Sequence, residues 1–186
     1  TLRHDLAGDF ELPLVDGTTW SFAESWNGCE SYVFIPDTVP ISESNRNSIW
    51  LDGVVELIER SPRNAHYVFV SRQLQSAGAE DSATILANGV ESALAQLSDE
   101  DAAHWRERLH VSPVPASRMD AWIGGVMDGG IGQSGFAIDR FQRIRGVGSY
   151  AAVTRVNQAN QLPWEANTAS LTKQVVYFNF DAGRAR

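Results

Sequence analysis

Cysteine is almost absent: Cys29 is the only one in 186 residues. An intrachain disulfide, a Cys-x-x-Cys redox pair and a multi-cysteine metal site are all excluded. Long apolar runs are missing as well, so no segment reads as a membrane span. Lysine is as scarce as cysteine, with Lys173 alone among 15 basic residues. That arginine bias fits either the codon usage of a GC-rich genome or an arginine-based anion site. The net charge is −8 and the isoelectric point is near 4.9. A phosphate-backbone binder needs clustered basic residues, so no nucleic-acid partner is expected. The four histidines, His4, His66, His104 and His110, include no i, i+4 pair and no His-Glu-x-x-His, so zinc is not expected. His104 and His110 read as lying on different faces of a helix, and His66 as the polar end of a strand.

What is present suffices for one domain. Apolar residues make up 43% of the chain, enough for a sizeable core. Phe10–Val15 alternates apolar and polar residues and predicts a short strand, Asp16-Gly17 a turn, and Thr18–Phe22 a second strand. Ser31–Ile35 reads as a buried central strand that Pro36 ends. Ser48–Arg60 carries a helical stripe of Ile49, Trp50, Val54, Leu57 and Ile58, with Asn47 or Ser48 as its cap. Ala65–Ser71 is a second buried strand, rich in aromatic and β-branched residues.

Ser82–Leu97 predicts a second long helix, which Gly89 weakens by about 1 kcal/mol relative to alanine. Ser98 followed by Asp101 resembles a capping box and opens a third helix, with Ala102, Trp105 and Leu109 on its buried edge. Pro113 and Pro115 end this helical region. The glycine-rich run Gly124–Gly135 reads as a surface loop, with anion binding through its backbone amides as the sharper alternative. Phe136–Asp139 and Arg143–Val147 predict a hairpin that turns at Arg140–Gln142, and Lys173–Phe180 is one more strand candidate. The strand, helix, strand, helices, hairpin order points to an α/β domain with a mixed sheet. Trp122 and Trp164 read as loop residues able to form an exposed aromatic patch.

Three segments carry a family resemblance. GDFELPLVDGTTWSFAE, ESYVFIP and GFAIDRFQRIRGVGSY follow one another as the opening hairpin, central strand and late hairpin do in the thioredoxin-like superfamily. The likeness is to its peroxiredoxin and thiol-disulfide reductase branches. It spans roughly residues 8–150 and implies a thioredoxin-like mixed central sheet flanked by helices. Within a domain of residues 1–150, residues of about 82–130 are longer than the family core needs and read as a helical and glycine-rich insertion. Residues 151–186 read as a C-terminal extension or a linker to a further domain.

The family's chemistry does not carry over. Thiol reductases place Cys-x-x-Cys after the central strand, and peroxiredoxins place Pro-x-x-x-Thr-x-x-Cys there. The corresponding stretch here is Pro36-Asp37-Thr38-Val39-Pro40-Ile41-Ser42-Glu43. Three residues after Thr38 stands Ile41, which cannot be a nucleophile, and the neighbouring Ser42 is a poor one without an activating base. The family's cis-proline before the late hairpin would align with Gln133 or Ser134. Cys29 lies upstream of the central strand and reads as a half-buried thiol.

The resemblance therefore implies a redox-inactive thioredoxin-like domain acting as a binding or scaffolding module. Its contact surface is expected at the carboxyl end of the sheet, near Asp37, Thr38, Ser42 and Gln133. The alternative is an enzyme of this fold that uses Cys29 or non-thiol chemistry. No cofactor or metal is expected. The partner is a protein or a neighbouring domain of the same chain, and no small-molecule ligand is identified. The opening TLRHDLAGDF, the tryptophan content and the scarcity of cysteine fit a piece of a larger exported bacterial protein.

Overall fold

The structure, a computed structural model, describes residues 5–36, 54–61, 63–71, 76–119, 121–127 and 134–149. Its strands are β1 (Glu11–Pro13), β2 (Thr19–Ser21), β3 (Ser31–Pro36), β4 (Ala65–Val70), β5 (Leu109–Ser112), β6 (Ser134–Ile138) and β7 (Ile144–Ser149). Its helices are α1 (Phe22–Ser25), α2 (Val54–Arg60), α3 (Ser76–Leu94), α4 (Asp99–Arg106) and α5 (Ala121–Met127), with a 3-10 turn at Ala116–Arg118.

A five-stranded sheet of order β5-β4-β3-β6-β7 forms the centre. β3, β4 and β5 run parallel, with Tyr32 opposite His66 and Val68 opposite His110. β6 returns antiparallel to β3, placing Phe136 opposite Phe34, and β7 pairs antiparallel with β6. Alternation along β3 and β4 splits their side chains between two cores. Val33, Ile35, Tyr67 and Phe69 pack with Leu57, Leu86, Leu94 and Trp105 on the face covered by α2, α3 and α4. Tyr32, Phe34, Val68 and Val70 pack with Phe10, Leu12, Phe22, Ile123 and Phe136 on the other face. Burial on both faces explains why SYVFIP and AHYVFV are near-continuous apolar runs.

The second face is covered by the β1–β2 hairpin and α5. β1 and β2 pair only with each other, in a separate two-stranded sheet. Gly17 has φ 85° at their turn, a conformation that favours glycine. The Asp16 carboxylate accepts from both the amide and the hydroxyl of Thr18, at 2.9 and 2.6 Å. A backbone hydrogen bond from Val15 N–H to Val111 C=O, at 3.1 Å, ties the turn to the outer edge of β5.

Most of the predicted elements are present, and several readings are corrected. The long helix begins at Ser76, six residues before its predicted start, and ends at Leu94. α4 stops at Arg106, so Leu109 belongs to β5 and not to a helix edge. β5 itself was not expected: four residues before a proline are too few to show a period. Trp122 to Met127 lie in α5 and not in a loop, and the Trp122 ring meets Phe10 and Phe136 edge-on. Trp122 therefore packs on the core and does not form an exposed aromatic patch. Trp50, Trp164, the start of the predicted Ser48–Arg60 helix and the Lys173–Phe180 strand lie outside the described residues.

Two helical glycines should respond oppositely to alanine. A Cβ on Gly89 meets nothing within 4 Å, whereas one on Gly124 would stand 3.0 Å from the Ala116 carbonyl oxygen. Gly89→Ala should raise the unfolding free energy by about 0.5–1 kcal/mol through helix propensity. Gly124→Ala should lower it by about 1–3 kcal/mol, because backbone must shift to admit the methyl. Urea denaturation of the two variants checks the pair, and loss of stability at Gly89 would contradict the packing of α3.

Candidate functional site

The carboxyl edge of the parallel strands is where the sequence places a contact surface. β3 ends there at Pro36, β4 at Val70 and β5 at Ser112. Asp37, Thr38, Ile41, Ser42 and Gln133 all lie outside the described residues. The described chain at this edge is held by backbone bonds, with Ala116 N–H donating to Ser71 C=O at 2.8 Å. The Ser112 hydroxyl accepts from the Val114 amide at 3.2 Å.

Cys29 sits at the opposite end. It precedes Ser31, the first residue of β3, whose six residues place the carboxyl edge roughly 17 Å further on. Its thiol is free and half-buried. Gly28, at φ 74°, makes the turn, and Asn27 Oδ1 accepts from the Cys29 amide at 2.8 Å. Asn64 on the neighbouring segment donates to the Cys29 carbonyl at 3.3 Å.

Next to Cys29 begins a buried polar network that the sequence reading missed. The Glu30 carboxylate accepts from Asn27 Nδ2 at 2.8 Å, His66 Nε2 at 3.0 Å and Arg108 Nη2 at 2.6 Å. His66 Nδ1 in turn lies 3.0 Å from His110 Nε2. Glu30, His66 and His110 are each 4–5% exposed. The sheet produces this arrangement directly. His66 and Val68 share a face of β4, and His110 stands opposite Val68, so the two rings are diagonal neighbours, parallel within 6° and 5.3 Å apart. Trp20 stacks on His110 at 4.2 Å, and Tyr32 on His66 at 4.7 Å. His110 therefore lies on β5 and does not share a helix with His104, which is in α4, and His66 is a core residue, not a polar strand end.

The electrostatics follow from this geometry. Burial pushes the Glu30 carboxyl up, but the hydrogen bonds and charges of His66 and Arg108 outweigh it and hold the group down at about 2. Burial, followed by the charges of His66 and Arg108, lowers His110 to about 3. Burial and then the Glu30 charge push the Tyr32 phenol well above its ordinary range, and its hydroxyl donates to the Ser25 carbonyl at 2.9 Å. An ionised Glu30 only accepts, so His66 carries hydrogen on Nε2. The network can hold and pass a proton, but no nucleophile belongs to it. No group of three or more His, Cys, Asp or Glu able to hold a metal ion occurs among the described residues. None of their helices is long and apolar enough to cross a membrane.

A groove of about 410 Å³ lies beside β5, between the Leu14–Asp16 turn and the Thr84–Leu94 stretch of α3. Glu91 and Arg106 line it and pair across it at 2.7 Å.

No family model matches the sequence, and no curated protein matches it. Solved structures do match. The C-terminal domain of a Bacteroides thetaiotaomicron protein named as a thiol-disulfide oxidoreductase superposes with a TM-score of 0.52 at 10% identity, covering 97% of each chain. A thiol:disulfide interchange protein of the thioredoxin family from Chlorobium tepidum gives 0.45 at 17% identity, over 84% of this chain and 92% of that one. Peroxidoxin BcpB from Mycobacterium tuberculosis gives 0.41 at 14% identity, over 99% and 97%. At these identities the likeness speaks to the fold. The chain has a thioredoxin-like fold, a mixed sheet flanked by helices, and with Cys29 as its single cysteine it lacks the active-site pair.

Proposed function

We propose that this thioredoxin-like domain works without thiol chemistry, as a binding or scaffolding module of a larger exported protein. The observation that carries the reading is the position of its one cysteine. A thiol reductase of this fold attacks from the loop after the central strand, where a helix N-terminus stabilises the thiolate. Cys29 precedes that strand, and residues 37–43 contain no cysteine. Asn27 and Asn64 hold the backbone of Cys29 at this end of the strand.

Recognition would then use a pre-formed surface at the carboxyl edge of the sheet, with Asp37, Thr38, Ser42 and Gln133 as its contact residues. The partner is a protein or a neighbouring domain of the same chain. Insulin-disulfide reduction and hydrogen-peroxide consumption test the reading. The wild-type chain and Cys29→Ser should both run at the background rate in both assays. Turnover by the wild type that Cys29→Ser abolishes would overturn it in favour of an enzyme that recruits Cys29.

A further inference from the structure

We propose that the His66–His110 pair is an acid-sensitive latch: a second proton on the pair releases the β1–β2 hairpin from the sheet and uncovers the aromatic face beneath it. The pair lies at 3.0 Å, so one hydrogen fits between the facing nitrogens. A first proton leaves that contact intact, because either ring can donate while the other accepts. A second proton puts hydrogen on both facing nitrogens. The bond is lost, and two imidazolium rings confront each other in a buried site.

The surroundings do not absorb the second charge. Glu30 before β3 is the carboxylate bonded to the pair, and it is already engaged by Arg108 and His66. Arg108, before β5, adds a positive charge, with Glu107 beyond it at 3.6 Å. Tyr32 on β3 faces His66 with its hydroxyl directed to Ser25. From the hairpin comes Trp20, an uncharged ring stacked on His110. Asp16, Glu91 and Arg106 line, together with His110, the groove along the outer edge of β5, with Glu91 paired to Arg106. Burial and the neighbouring positive charges correspondingly hold His110 below its ordinary range.

The hairpin is the element able to yield. Among the described residues, its strands pair with each other and not with the strands of the central sheet. Among the described residues, the hairpin itself is held to the sheet by the Val15–Val111 backbone bond and by the packing of Leu12 and Trp20, with Phe10 and Phe22 at its ends. The chain before it is anchored separately at Asp5–Ala7 and the chain after it at Ser25. Supersecondary motifs often open as cooperative units at a free energy below that of global unfolding. Swinging the hairpin away admits water to His110, where both rings can be charged.

The sign is fixed by linkage. A histidine held low when closed and near 6.5 when open binds more protons in the open state, so opening gains about tenfold per pH unit below 6.5. Hydrogen-exchange protection factors, corrected for intrinsic exchange rates, test this on the 186-residue chain. Between pH 7 and pH 5, protection of the Val15 amide, which donates to the Val111 carbonyl only while the hairpin is closed, should fall about 30-fold, while that of Val33 and Val68 stays constant. His110→Gln keeps an amide donor and acceptor for His66 Nδ1 but cannot take the proton, and should abolish the fall. Unchanged Val15 protection, as when the Trp20 face holds the second cation in place, overturns the proposal. So does a parallel loss at Val33 and Val68, or a fall that persists in His110→Gln. If that variant does not fold, histidine ring nitrogen shifts of the wild type decide. Hairpin opening must share its midpoint with His110 protonation, and separate midpoints overturn the latch.

Discussion

Phe34→Ala should lower the unfolding free energy by about 3–5 kcal/mol, the largest single loss among the core positions. Phe34 lies on the central strand, is fully buried and is stacked on Phe136 at 4.1 Å with rings parallel within 12°. Phe10 from the N-terminal segment closes the layer at 5.6 Å. Alanine removes the ring that joins three parts of the chain: β3, β6 and the segment before β1. Neighbours anchored in a sheet cannot collapse into the space, so the cavity cost adds to the lost transfer energy. Urea denaturation measures it, with Phe34→Leu losing less because much of the volume remains. A loss under about 1 kcal/mol would mean that Phe34 does not occupy a sealed layer.

Glu30→Ala should cost a comparable amount, about 3–5 kcal/mol at neutral pH, for a different reason. Removing the carboxylate leaves Arg108 largely buried without its 2.6 Å partner and takes the acceptor from His66. The penalty is that of a stranded charge, so truncating both Glu30 and Arg108 should cost less than the sum of the single changes. A double-mutant cycle reads this, and strict additivity would argue against coupling. The pH dependence supplies a second readout. Glu30 is held at about 2, below its ordinary 4.5, so its stabilisation is present above pH 4.5 and is lost as pH falls toward 2. The wild type should lose stability across that window more steeply than Glu30→Ala. His110, also held low, adds a loss that begins nearer pH 6.5.

The sheet was readable from sequence where its strands were long and its turns had specific chemistry. SYVFIP and AHYVFV are near-continuous apolar runs because both faces are covered, and Asp16-Gly17 marks the first hairpin. The late hairpin falls within two residues of its expected bounds because Asp139 Oδ1 accepts from the amides of Phe141 and Arg143 and fixes the turn. β5 was hidden by its brevity, and the helical nature of WIGGVM by its glycines. The Glu30–His66–His110–Arg108 network could not be read from spacing, since β4 and β5 are joined through two helices. A local signal did exist: Glu30, His66 and His110 are each a titratable residue at the start of an otherwise apolar strand. Parallel neighbours bring such positions together at one end of the sheet. The absence of redox cysteines was fully legible, because it depends on residue identity alone.

The bond from Val15 to Val111 also bears on self-association. β5 is an outer strand of the sheet, and Val111 turns its carbonyl away from β4 toward the first turn of the chain. An exposed strand edge is a template on which a second copy can add its own strand, the step that begins many aggregates. Here the hairpin turn occupies part of that template while it is closed. The same segment thus covers an aromatic face and guards an edge, and losing it would turn the rim of the sheet into a site for strand addition.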